Sequence, residues 1–234
     1  SYNPRQGLTH KLELTAFDDT LNVNDFGFQR RNDVREAWYR LDWVKSGLTR
    51  IRDFTISPFI RYEVNGDGYR TNNALASSFN FKLNNLDEIE IFGAYFPQRY
   101  DDRNSFGNGV FDVATRESLS FLYRTNTAKR VSVYGKVNLQ DEFVGDTTFE
   151  AQAGIVWQPH SNFKVDLKAV WFDRNGWLLH QEGRNFTAFN ARQWQPTLSV
   201  DYFPTARQHL SAGLQWVGIR AQEDEFYELA TDST

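Results

Sequence analysis

The residues best equipped for chemistry are few. His180 lies in WLLHQEGRNF (177–186) close to Glu182 and Arg184, so an imidazole, a carboxylate and a guanidinium share one short segment. Such a group could move a proton, ligate a metal or hold a polar ligand. The other histidines, His10, His160 and His209, are scattered, and none stands beside a serine and an acid at the sharp turn that a nucleophile needs. Packing and interfacial roles account for them. Asp18 with Asp19, Asp101 with Asp102 and Asp141 with Glu142 could hold Ca²⁺ or serve a glycosidic bond as acid and base. Solvated loop charge is the simpler account. NGDG (65–68) lacks the alternating acids and distal Glu of a calcium loop and reads as a turn. FGNGV (106–110) has no helix after it and is no phosphate cradle. No catalytic, cofactor-binding or metal-binding residue is assigned.

The largest set of charges recurs at alternate positions: Lys11, Glu13, Glu36, Arg40, Asp42, Arg61, Glu63, Lys82, Glu90, Arg124, Lys136, Glu150, Lys164, Asp166, Lys168 and Asp201. Between them stand apolar residues, as in RVSVYGKVNLQ (130–140), where Val131, Val133, Val137 and Leu139 oppose Ser132, Tyr134, Lys136 and Asn138. A period of two is that of an extended strand. It marks eleven segments: 7–17, 34–44, 51–65, 74–84, 88–97, 115–125, 130–140, 147–158, 163–172, 193–203 and 209–220. Phe92, Phe96 and Leu122 are exceptions that fall on the polar side.

These segments must position the charges, and three features decide what surrounds them. Each is about 10–12 residues long, against a usual globular mode of about 5–6, and about ten tilted residues cross a bilayer's hydrocarbon. The links alternate in length: short at 45–49, 84–87, 126–129, 159–162 and 204–208, longer at 18–33, 66–73, 98–114, 141–146 and 173–192. On the apolar side, Trp43, Tyr123, Trp157, Phe163 and Tyr202 lie beside the short links, while Tyr62, Phe149, Trp171, Trp194 and Trp216 lie toward the long ones. Two aromatic belts flanking aliphatic residues suit two membrane interfaces.

The expected fold is therefore all-β, an antiparallel up-and-down transmembrane β-barrel spanning 1–234, with the valines toward lipid and the charges toward a lumen. Lys136 should meet Glu150 or Gln152 on the next strand. Eleven is odd, whereas bacterial barrels usually have even counts, so the chain reads as part of a larger barrel, with strands missing after the C-terminus and some before Ser1. AQEDEFYELATDST (221–234) is expected beyond the last strand, on the extracellular side.

Composition agrees with this reading without forcing it. The chain has 234 residues, 40% of them hydrophobic, and a net charge of -4. Its charges are interspersed, which excludes a basic stripe for nucleic acid. No run approaches the roughly 20 apolar residues of a membrane helix. Cysteine is absent, which suits an oxidising envelope compartment. Methionine is absent too, as in a mature or excised piece of a longer protein.

NPRQGLTH (3–10), NDFGFQRRND (24–33), FGNG (106–109) and VDYFPTARQHLSAGLQWVGIRA (200–221) resemble one uncharacterised bacterial family. Its members carry a carbohydrate-binding-module-9-like domain followed by a C-terminal outer-membrane barrel of unknown function. The resemblance implies that this chain is the later part of such a barrel, with a sugar-binding-like domain and earlier strands upstream and further strands downstream. No catalytic residue transfers, because the family's barrel has none defined.

The leading expectation is a conduit for small solutes or saccharides, or a platform for periplasmic or surface partners, set among outer-membrane lipid and lipopolysaccharide. A soluble carbohydrate-binding β protein is the alternative, motivated by loop aromatics such as Tyr100, Trp177 and Phe186. A membrane-embedded hydrolase is a third reading, disfavoured by the missing Ser-His spacing.

Overall fold

The computed structural model describes residues 2–20 and 32–230. Most of the 18–33 link, including NDFGFQRRND as far as Arg31, and the last four residues lie outside the described residues. In chain order the strands are β1 (Tyr2–Arg5), β2 (Leu8–Phe17), β3 (Val34–Ser46), β4 (Ile51–Val64) and β5 (Ala74–Leu83). They continue with β6 (Glu88–Phe96), β7 (Arg99–Asp101), β8 (Phe111–Val113), β9 (Arg116–Arg124) and β10 (Val131–Asp141). β11 (Thr147–His160), β12 (Phe163–His180), β13 (Asn185–Thr205), β14 (Gln208–Gln215) and β15 (Gly218–Glu228) complete the set. Among the described residues there is no helix.

One antiparallel sheet runs β1 to β6 and then β9 to β14 with neighbours in chain order, a path of twelve strands, while β7 and β8 pair separately inside the β6–β9 link. Every segment with a period of two is a strand, because a pleated backbone sends successive side chains to opposite faces. No ladder joins β14 or β15 to β1 or β2 among the described residues, so the sheet is open at both ends.

Three boundaries differ from expectation. The 173–192 stretch is mostly strand, since β12 runs to His180 and β13 starts at Asn185. A bulge hides this in the sequence: the β12–β13 register shifts between Arg174 and Trp177, where Gly176 takes a φ of 73°. One inserted residue inverts the alternation downstream of it. As a result Trp171 and Trp194 sit near mid-strand rather than at strand ends. The 98–114 link, in turn, contains the β7–β8 hairpin.

The third difference is that the last strand does not stop at 220. It pauses at Trp216 and Val217 and resumes as β15, taking residues 221–228 into the sheet. Pro196 on β13 is the cause. The Trp216 N–H donates to the Pro196 carbonyl at 3.1 Å, but proline has no N–H to return. Beyond the pause, Gly218 faces Trp194 and pairing with β13 continues.

Register fixes the faces. Trp43, Ile56, Phe79, Ile91, Phe121, Val137, Ala151, Trp171 and Trp194 are successive cross-strand partners, an apolar row over nine strands. One residue along, Ser57, Ser78, Phe92, Ser120, Asn138, Glu150, Phe172 and Gln193 form the row behind it. The apolar row starts beside the short turn that ends β3 and reaches the middle of β13, so the strands are staggered as tilted strands are.

Burial is inverted relative to a water-soluble sheet. Leu75 and Leu119 are each 56% exposed and Leu167 is 50% exposed, whereas Glu63 is 1% exposed and Ser57 and Thr71 are 2% exposed. The interior of this fold is its polar face.

At the short-turn rim the hairpins are tied together by one carboxylate. Asp87 accepts hydrogen bonds from the Tyr123 hydroxyl at 2.7 Å, the Asn126 backbone N–H at 2.8 Å and the Asn85 side chain at 2.9 Å. The Tyr123 and Asn126 hydrogen bonds hold its carboxyl below the ordinary range, with Asn85 and Lys129 adding to the effect. A carboxyl depressed on folding contributes stability above its unfolded value of about 3.9 and loses it as pH falls through the lower folded value. Asp87→Asn is therefore expected to be less stable than wild type near neutrality, and the gap should close on acidification. Denaturant melts of both proteins down to about pH 2 check this; a gap independent of pH would exclude the carboxylate as its source.

Candidate functional site

All the charged residues singled out at alternate positions project from the polar face by register, and the aromatics from Trp43 to Trp216 project from the other. Many of the charges meet across strands. Lys11 and Arg40 converge on Asp42 at 3.3 and 2.6 Å, and Ser57 donates to the same carboxylate at 2.7 Å. Arg61 lies 2.5 Å from Glu36 and 3.7 Å from Glu63. Lys136 reaches Glu150 at 3.3 Å, one of the two partners expected from sequence, while the other, Gln152, stands directly opposite it in register. Lys82 and Arg124 share Glu88, at 3.4 and 3.9 Å. Asp201 takes His209 at 2.9 Å. Among the described residues Glu13, Glu90, Lys164 and Lys168 make no direct ion pair, and one oxygen of Asp166 is buried without a hydrogen-bond partner.

The histidines divide as their positions suggest. His10 bonds the Tyr39 hydroxyl at 2.7 Å, His209 stacks on Phe203, and His160 closes β11 opposite Phe163. His180 stands at a cavity. Its Nε2 is 2.8 Å from the Gly183 carbonyl, and its ring lies 5.2 Å from both Phe106 and Phe186.

That cavity, of about 820 Å³, lies at the long-loop end of the polar face between β9–β13 and the β6–β9 link. The link is held in place by a buried polar set. Asp101 accepts from the N–H groups of Arg103 and Asn104 at 3.0 and 2.9 Å, Arg99 donates to the Thr71 carbonyl at 2.5 Å, and Ser105 donates to the Gly109 carbonyl. Phe111 then reaches Phe186, with ring centroids 5.3 Å apart. NGDG forms the expected turn next to this assembly, with Asn65 accepting from Tyr69 N–H at 2.9 Å and bonding Asp102 at 2.9 Å.

No family model, curated protein or solved structure matches the chain.

The site's chemistry therefore has to come from its own residues. The bulge at Gly176 puts Trp177 opposite Phe189, and both line the cavity together with Arg174. A Cβ at residue 176 would stand 2.9 Å from Val144 and Asp146, in a backbone conformation that favours glycine. Arg174 lies over the rings of Phe172 and Trp177, at 4.7 and 5.0 Å. Across the cavity Arg116, 9% exposed, lies over Phe143 at 4.5 Å and Phe96 at 5.5 Å. Glu142 accepts from the Thr148 hydroxyl, and Asn138 and Gln140 add amides to the wall.

Sequence reasoning reached Trp177, His180 and Phe186, and the structure brings these three together. Tyr100 packs instead against Tyr69 with the rings tilted and their centroids 5.0 Å apart. The two arginines were missed. Arg116 opens one of the less regular strands, where only its even-numbered position marks it as polar-face, and Arg174 fell in a stretch taken for loop. Among the described residues no three His, Asp or Glu side chains cluster as a metal site would require. Cations, amides and aromatic rings share the walls of this one cavity.

Proposed function

We propose that the chain is wall of an outer-membrane β-barrel that carries or receives small polar solutes on its inner face. The observation that supports this is the inverted burial: an apolar face exposed across the whole sheet, backed by a polar face of ion pairs and buried hydroxyls. Soluble monomers rarely expose a continuous apolar surface of such extent. In lipid the same face needs no cover. A bilayer tolerates no open sheet edge, so in this reading the edges at β1–β2 and β14–β15 are paired in the membrane and the staggered strands close into a barrel. The cavity between the β6–β9 link and β12–β13 favours a solute conduit over a passive platform.

Five of the seven tryptophans, Trp43, Trp157, Trp171, Trp194 and Trp216, sit on the apolar face, whereas Trp38 and Trp177 belong to the polar one. Reconstitution into vesicles of brominated phospholipid should quench variants that retain Trp43, Trp157 or Trp194 alone and spare one that retains Trp38 alone. Equal quenching, or a chain that stays monomeric in plain buffer, would remove the membrane reading.

A further inference from the structure

Two guanidinium groups line one cavity with nothing to bind. Among the described residues neither Arg116 nor Arg174 makes a hydrogen bond or an ion pair, and the Nε of each is buried without a partner. Elsewhere on the polar face Arg40 is met by Asp42, Arg61 by Glu36 and Lys136 by Glu150, whereas Lys164 and Lys168 stand without a direct ion pair among the described residues. The nearby carboxylates are already engaged, Glu150 by Lys136 and Glu142 by Thr148, and the neighbouring Arg99 has Asp101 at 3.7 Å. Glu142, Asp101 and Asp141 act on Arg116 through space without direct contact, and a guanidinium buried without a hydrogen-bonded acceptor is unfavourable. Arg116, 9% exposed, bears that cost, and the half-buried Arg174 adds a second guanidinium without a bonded acceptor to the same cavity.

Geometry narrows its chemistry. Both arginines lie over rings, Arg116 at 4.5 Å from Phe143 and Arg174 at 5.0 Å from Trp177, and the guanidinium N–H groups beyond the buried Nε have no acceptor among the described residues. A planar, bidentate carboxylate matches a guanidinium edge. Asn138 and Gln140 offer donors and acceptors side by side, the pattern that hydroxyl groups satisfy. Trp177 and Phe189 supply apolar walls, and about 820 Å³ exceeds what a lone small anion needs.

We infer that this cavity binds a carboxylated saccharide of one or two rings, with Arg116 and Arg174 each offering a guanidinium to a carboxylate, Asn138 and Gln140 meeting the hydroxyls, and Trp177 a sugar face. The inference concerns the polar face alone and stands whether or not the opposite face meets lipid.

Calorimetric titration of the detergent-solubilised full chain with digalacturonate, maltose and inorganic phosphate tests it. Digalacturonate should bind, with maltose and phosphate each at least about tenfold weaker. Arg174→Gln and Arg116→Gln should each weaken digalacturonate by about tenfold to a hundredfold while leaving the weak maltose binding unchanged. Should Arg116→Gln fail to fold, as judged by its melt, Arg174→Gln alone decides. Maltose binding as well as digalacturonate would show that charge is not read. Phosphate binding as well would show a bare anion site. No binding, or full affinity in Arg174→Gln, overturns the assignment. Because the lipid-quenching measurement uses no saccharide, it fails or succeeds independently.

Discussion

Val137→Arg is expected to destabilise the protein in a bilayer by about 2–4 kcal/mol, the penalty for a cation on the lipid face at mid-depth of a barrel. Val137 stands between Phe121 and Ala151 in the apolar row, with six residues of β10 on one side of it and four on the other, and it is 44% exposed in the isolated chain. That exposure makes the substitution diagnostic. On a water-facing surface it would change stability by no more than about 0.5 kcal/mol, because the arginine would remain solvated. Asn138→Arg, one residue along and on the polar face, supplies the control and should be well tolerated in both settings. Denaturant unfolding from vesicles measures the difference, and a Val137→Arg variant as stable as wild type there would mean that lipid does not cover this face.

The alternation that makes this test possible was legible in the sequence because it is local. A strand with one apolar and one polar face writes its period directly into the chain, and long strands repeat it often enough to exclude a helix. The contact between Lys136 and Glu150 was legible for the same reason: consecutive segments with a period of two, joined by the 141–146 link, place them on adjacent strands and one face. What escaped depends on single residues or distant segments. One glycine at 176 inverts the pattern beyond it, so sixteen residues of β12 and β13 read as loop. Pro196 breaks a neighbouring strand rather than its own, an effect that is visible only once β13 and β14 are paired. The cavity was the least legible. Arg116 and Arg174 are 58 positions apart, and the β6–β9 link must fold toward β13 before they share a wall. The polar-face role of Phe92, Phe96 and Leu122 is clearer with the structure, since Phe96 serves as a platform for Arg116.

Arg61→Met should be the most damaging single change on the polar face, destabilising by about 3–5 kcal/mol. Glu36 and Glu63 are direct cross-strand partners, and Arg61 touches both carboxylates. With the guanidinium gone, two acids face each other across β3 and β4, one of them 1% exposed. Like charges directly opposite on a sheet are unfavourable even when solvated, and here little solvent reaches them. The damage should spread in a definite direction. Glu63 also accepts from the Thr71 hydroxyl at 2.9 Å, its N–H donates to Asn73 at 2.9 Å, and the Thr71 carbonyl in turn holds Arg99 at the start of β7. Hydrogen exchange should therefore accelerate first at 63–73 and then in the β7–β8 hairpin, before β10 or β11 are affected. Adding Glu36→Gln removes one of the opposed charges and should recover most of the loss. If the double variant is no more stable than Arg61→Met, repulsion is not the cause, and the arginine stabilises this corner through the packing of its stem against Trp38 and Ala74, its neighbours in register on β3 and β5.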